Sequence, residues 1–427
     1  MRKSDSTMRR LGLGLFLVCS LASCCRQPPA PSLPPIPTDG KIDATQAIQL
    51  RLDSAGQTGG EVILSPGQFL IRGTLNVPKG VALRGSWDAA HHGDGWQVGT
   101  TLLVTGGRDQ ENGTPTVTMG ADSALNGMTF LWPDQTWTDI HPYPWAVRGV
   151  GHHVTVENVT FVNAYQGVWI GSPDGSLHLL RNIFGCVLRR GIFIDCSVDV
   201  GRLENIHFNP HYWLSSGYPP GALATAAINQ SIHNYVAVNL EAFIFGRTDW
   251  EYGLDTFVWG AKCGYRFIRT AAGKSSGQFL GMGADYFQTC VQIDALQPAG
   301  LQITNGAFTA FAGGPGTALV TAPGAGGSVE LANSTFFATT HHAVWMQGDT
   351  EVTLSACHIL DAHPDGDILA EKGRLIVQGC NFDQPGPTVV LRKDVVAAAI
   401  TGNLQPGGLQ VQNEIGKRAQ IGLNQTP

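Results

Sequence analysis

Short apolar stretches alternate with polar and glycine-rich breaks along this chain, and from Val156 onward the alternation acquires a fixed step. Val156-Glu-Asn158-Val-Thr-Phe161, Leu180-Arg-Asn182-Ile-Phe184 and Leu203-Glu-Asn205-Ile-His-Phe208 align on asparagines 24 and then 23 residues apart. Gly167-Val-Trp-Ile-Gly171 and Gly191-Ile-Phe-Ile-Asp195 follow at the same step of 24. The pattern returns over residues 301–308, 329–336, 352–357 and 375–382. A repeat every ~20–30 residues with apolar alternate positions is the signature of a β-solenoid, whose turns pack only on their neighbours. The glycine, asparagine and β-branched content of each unit argues against helical repeats. Asparagine at a fixed turn can adopt left-handed backbone and hydrogen-bond to its stacked copy, so this ladder is expected to be structural.

Ahead of the repeat, Ala44, Ala47, Ile48 and Leu52 have helical spacing. Small strands then follow between Gly59-Gly60, Pro66-Gly67 and Gly85. A helix before tiny, evenly spaced strands predicts a capped solenoid, the open end being covered. Two irregular stretches, residues 86–118 and 209–235, are read as long loops that build a binding groove.

Residues 1–23 read as an export signal, with Arg2, Lys3, Arg9 and Arg10 before an apolar run too short to span a bilayer. Leu21-Ala22-Ser23-Cys24 resembles a bacterial lipobox. That resemblance implies a lipid on Cys24 and anchorage at the cell envelope, in the outer membrane or at the cell surface. Residues 24–39 would be the lipidated cysteine and a stiff proline-rich tether, and residues 40–427 one solenoid domain. A net charge of −6 without a basic run argues against nucleic acid. Cys186, Cys196, Cys263, Cys290, Cys357 and Cys380 show no metal-ligand spacing, so no metal site is expected; disulfides and buried free thiols remain equal alternatives.

The segment from Ala47-Ile48 through Gly59-Gly60, Val62–Leu64, Pro66-Gly67-Gln-Phe69 and Val81-Ala-Leu-Arg-Gly85 resembles the opening of the pectate-lyase-like superfamily. The resemblance implies an all-β fold, a single-stranded right-handed parallel β-helix with an N-terminal capping helix and groove-forming loops. It also implies a carbohydrate-active protein, and trimers are familiar among its members. The Asn-Thr-Asp, Asp-Asp, Gly-His-Gly and Arg-Ile-Lys signatures of the polygalacturonase-type branch are missing, so fold and substrate class transfer but catalytic residues do not.

Stacked coils place matched positions ~4.8 Å apart, and glycosidases hold their two carboxyls about 5–9.5 Å apart, so one column can supply both. The candidate acids are Asp195, Asp199 and Glu204, then Asp249, Glu251 and Asp255, with His207 as a candidate acid/base. Asp195 stands where the previous coil has Gly171, and the expected working pair is Asp195 with Glu204, Asp249 or Glu251. Tyr212, Trp213, Trp250 and Trp259 are read as a sugar-stacking platform with His211 beside it, and Arg189 and Arg190 as ligands for an acidic sugar's carboxylate. The expectation is an envelope-anchored glycoside hydrolase acting on a polysaccharide without a cofactor. A uronate lyase using Ca²⁺ and a non-catalytic carbohydrate-binding β-helix are the alternatives.

Overall fold

The computed structural model describes residues 33–311 and 316–426. Cys24 and the signal segment lie outside the described residues. No described helix is long and apolar enough to cross a membrane.

The chain winds into a parallel β-solenoid with three strands per turn, so three ladders run the length of the molecule. One inward column passes through Val62, Leu83, Leu125, Val156, Leu180, Leu203, Gly253, Phe279, Ile303, Leu331, Leu354, Val377, Ile400 and Ile421, fourteen stacked rungs. All but the last are buried. This column marks the first face. The second carries Phe130, Phe161 and, on later coils, Phe308, Phe336 and Phe382 inward. The third carries Val147, Val168, Ile192, Phe243, Tyr265 and Val291 inward. Coil upon coil, like side chains meet: Phe243 lies on Tyr265 with centroids 4.7 Å apart and Phe245 on Phe267 at 4.9 Å. The six cysteines beyond Cys25 are all free, and five are buried in this core.

The corner between first and second faces is held by the asparagines. Asn158, Asn182 and Asn205 have φ of 54°, 52° and 51°. Asn182 donates to Asn158 over 2.9 Å, and Asn205 donates to Asn182 over 2.8 Å.

Helix α1, Thr45–Ala55, covers the N-terminal end with Ala47, Ile48 and Leu52 inward. The first strand, Asp39–Asp43, already belongs to the solenoid, pairing with Gly67–Ile71. The stretch 86–118 is only partly a loop, because Thr100–Val104 and Val117–Met119 are strands in register with the coils before and after. The second insertion folds into two helices, α2 (His211–Leu214) and α3 (Ala226–Asn239), which the sequence reading took as irregular. Residues 86–99 and α2 lie against the second face: His91 reaches Thr129 and Thr160, and Trp96 donates to the Ser216 carbonyl.

Candidate functional site

The third face carries a large cavity. Its outward column reads Arg148, Trp169, Phe193, Ile244, Arg266 and Gln292 from coil to coil. Glycine makes the sharp entry to this face possible. A Cβ at Gly167 would lie 2.4 Å from the Gly191 carbonyl oxygen, and one at Gly191 would lie 2.4 Å from that of Ala242. The chain therefore turns onto the face with successive backbones in close approach.

A cavity of about 730 Å³ follows this column. Trp145, Trp169 and Phe193 form its aromatic side, with ring centroids 5.9–6.4 Å apart. The guanidinium of Arg148 sits 3.7 Å from the Trp169 ring centre and holds that ring in place. The other side is charged, lined by the cations Arg190, Arg266, Arg269 and Lys274 and the carboxylates Glu241 and Asp294. Arg266 lies between the two acids: Nε donates to Asp294 Oδ2 over 2.8 Å and Nη1 donates to Glu241 Oε1. Burial alone would lower the Arg266 pKa, but the two carboxylates outweigh it and the guanidinium is raised further. With both acids joined to Arg266, the surplus charge of the lining is positive, in a chain whose net charge is −6. Arg190 also faces Glu111 at 3.6 Å, and aromatic surface beside Arg269 and Lys274 suits a sugar chain that carries carboxylates.

The residues singled out from sequence distribute differently. Arg190 does line the cavity, where it donates to Gln166 over 3.0 Å. Arg189 instead bonds the Asn239 carbonyl and fastens the end of α3. Asp195 caps a turn: its Oδ1 accepts from the N–H groups of Cys196 and Arg247, each at 2.8 Å, and from the Thr270 hydroxyl at 2.9 Å. A Cβ at Gly246 would strike the same carboxylate at 2.5 Å, so the acid fills the space the glycine leaves. Glu251 is 1 % exposed and bonds His178 Nε2 over 3.0 Å inside the coil. Burial would depress the His178 pKa, yet the Glu251 carboxylate outweighs it and the net direction is up. Asp249 is tied to Arg247 at 2.7 Å and to Gln297. Asp199 accepts from Val200 N–H on an exposed turn, and Glu204 is half-buried on the first face. The expected pairing of Asp195 with Glu204, Asp249 or Glu251 therefore does not form a groove acid pair: Asp195 is spent on turn donors and Glu251 is sealed in.

The expected stacking platform also divides. Trp213 is fully buried and Tyr212 is 6 % exposed, because α2 turns both toward the solenoid. His207 lies half-buried under the Tyr212 hydroxyl, 3.0 Å from its Nδ1, and burial lowers its pKa. Trp250 is half-buried beside Asp249. Trp259 packs on Tyr286 at 4.9 Å, with His233 at 4.5 Å and exposed His211 at 6.3 Å, away from the residues lining the cavity. Sequence reasoning missed Trp145, Trp169, Phe193, Arg266, Arg269 and Lys274. For Trp169 and Phe193 a signal existed, since both sit at the outward position of the repeated Gly-Val-Trp-Ile-Gly and Gly-Ile-Phe-Ile-Asp strands. The groove does not fit calcium, which takes about 6–8 oxygen ligands, because both lining carboxylates are already bound by Arg266.

No family model and no curated protein sequence matches this chain. Among solved structures, the A-module of the Azotobacter vinelandii mannuronan C-5 epimerase AlgE6 superposes with a TM-score of 0.51 at 14 % identity, over 92 % of this chain and 98 % of that one. The fold is a right-handed parallel β-helix. Pre-mature bacteriophage phi29 gene product 12 gives a TM-score of 0.56 at 11 % identity, over 86 % of this chain and 51 % of that one. Identities this low carry the β-helix across and no residue roles.

Proposed function

We propose that the protein binds a polysaccharide of acidic sugars along the third face of the β-helix and cleaves it there by elimination rather than hydrolysis. The carrying observation is the cavity of about 730 Å³ in which Trp145, Trp169 and Phe193 face Arg190, Arg266, Arg269 and Lys274. The rings supply apolar surface for sugar CH groups, and the guanidinium groups of Arg190 and Arg269 bind the uronate carboxylates. Neutralising that carboxylate also makes the neighbouring ring proton more acidic, which is the electrostatic part of an elimination. Lys274 is the assigned base and acts as the free amine: its nitrogen takes the C5 proton, the C4–O bond breaks with its electron pair on the leaving sugar's oxygen, that oxygen takes a proton from water, and a C4–C5 double bond remains. Paired-carboxylate hydrolysis needs one carboxyl that delivers a proton, whereas both lining carboxylates are joined to Arg266. The AlgE6 module, alike in fold, is named for mannuronan, a polymer of an acidic sugar, which agrees with this reading. A lipid on Cys24 would hold the groove at the cell envelope, where such polymers are met.

The test is to incubate the full chain with polyuronates and with neutral glucans, following reducing ends and the ultraviolet absorbance of unsaturated uronate together. Both signals are expected to rise on polyuronate alone and to fall at least about a hundredfold in Lys274→Ala, the scale of a lost general base. Reducing ends without absorbance would mean hydrolysis and overturn the elimination. Binding without either signal would leave a non-catalytic carbohydrate-binding β-helix.

A further inference from the structure

We propose that Asp122, His152 and His153 form a surface site for one divalent transition-metal ion of the imidazole-preferring kind, with zinc as its first ligand. The three residues lie at the corner that leads from the third face back to the first, Asp122 on one coil and the adjacent His152 and His153 on the next. Asp122 N–H bonds the His152 carbonyl over 2.9 Å, and His153 N–H bonds the Ser176 carbonyl over 3.0 Å, so backbone ladders fix the register on both sides. Asp122 and His153 both hold left-handed backbone, φ 56° and 55°, which turns their side chains to the same side of the corner.

The donor atoms converge. One atom from each residue lies within 4.8 Å of the other two. Asp122 Oδ1 is 3.1 Å from His153 Nδ1 and 3.7 Å from His152 Nε2. Ligand atoms around a tetrahedral zinc stand roughly 3.3 Å apart, given Zn–N and Zn–O bonds of about 2.0–2.2 Å. The observed separations bracket that value, so an ion fits between these atoms with small side-chain rotations. Two imidazoles and one carboxylate select zinc, nickel or copper over calcium and magnesium, which prefer all-oxygen sites.

A second feature points the same way. His152 presents Nε2 to Asp122 while its Nδ1 faces Asp174 Oδ2 at 3.6 Å. Asp174 is itself fixed, its Oδ1 accepting Ser176 N–H at 2.9 Å. A carboxylate behind a histidine orients the ring and sets the tautomer, as in most metal-bound histidines. Lys79 pairs with the cluster through the other oxygen of Asp122, Oδ2, at 3.5 Å. It is largely exposed and leaves Oδ1 to the ion. Because Asp122 and His152 come from different coils, no short ligand motif for this site exists in the sequence.

The experiment is calorimetric titration of the metal-free full chain with Zn²⁺, beside Ca²⁺ and Mg²⁺, and with Co²⁺ as a visible-absorption reporter of imidazole and carboxylate ligation. One equivalent of Zn²⁺ is expected to bind, with no saturable Ca²⁺ or Mg²⁺ binding. His153→Ala and Asp122→Asn should each weaken it at least tenfold and abolish the cobalt spectrum. Asp174→Asn should weaken it roughly tenfold while keeping a one-to-one spectrum, the usual effect of losing an orienting carboxylate. Circular dichroism shows that each variant is folded. No saturable zinc binding by the wild-type chain, or binding unchanged in both His152→Ala and His153→Ala, would overturn the site.

Discussion

Left-handed backbone runs down one corner of the solenoid, from Gly127 through Asn158, Asn182, Asn205, Asp255, Gly281, Asn305, Asn333, Ala356, Gly379, Gly402 and Leu423. Non-glycine residues pay about 1–2 kcal/mol for this conformation, and asparagine recovers part of it through side-chain hydrogen bonds. Asn182 is bonded on both sides, so Asn182→Ala should lower stability by about 2 kcal/mol in chemical denaturation, and an unchanged midpoint would deny the ladder its role. Ala356 occupies the same position at φ 52° without a polar side chain, so Ala356→Gly should raise stability by up to about 1 kcal/mol. The asparagines were legible in the sequence because their spacing repeats. Asp255 was misread as a site acid because its place in the same column shows only once the coil after the insertion is in register.

At the scale of elements, residues 86–99 and α2 form a cover on the second face. Gly93 is where they meet, since a Cβ there would lie 1.6 Å from the Tyr212 carbonyl oxygen. Gly93→Val should lift the cover and speed proteolysis within 86–99 while the solenoid stays folded. The cover also buries His91 and His207, and burial lowers both pKa values below the ordinary 6.5. Groups facing them include His92, Asp94, Tyr212 and Phe257. A depressed histidine favours the folded state fully above the unfolded value and loses that contribution as pH falls through the folded one. The cover should therefore loosen as pH drops below about 6.5, seen as faster proteolysis at pH 5.5 than at 7.5. His207→Gln should reduce that difference, and equal rates in both proteins would contradict this cause. None of this was readable beforehand. Tyr212 and Trp213 were taken as a sugar platform because composition marks an insertion as aromatic but not which side of a four-residue helix it buries.

At the scale of the molecule, the solenoid brings together what the chain separates. The repeat step and the N-terminal resemblance made the fold legible, since a periodic core needs only local pattern. The groove was not, apart from Arg190, because its cations come from distant positions and the net charge of −6 hides a local positive surplus. Such a groove should bind a polyanion less tightly as salt rises, because exposed charges are screened over about 8 Å at physiological ionic strength. The most direct measurement is titration of the full chain with a defined uronic-acid oligosaccharide and its neutral, carboxyl-reduced counterpart. The uronate should bind at least about tenfold more tightly, and both Trp169→Ala and the double variant Arg190→Gln/Arg269→Gln should lose about that factor, equivalent to about 1.4 kcal/mol. Equal affinity for the neutral chain, or uronate binding undiminished in both variants, would contradict a charged aromatic groove on the third face as the site.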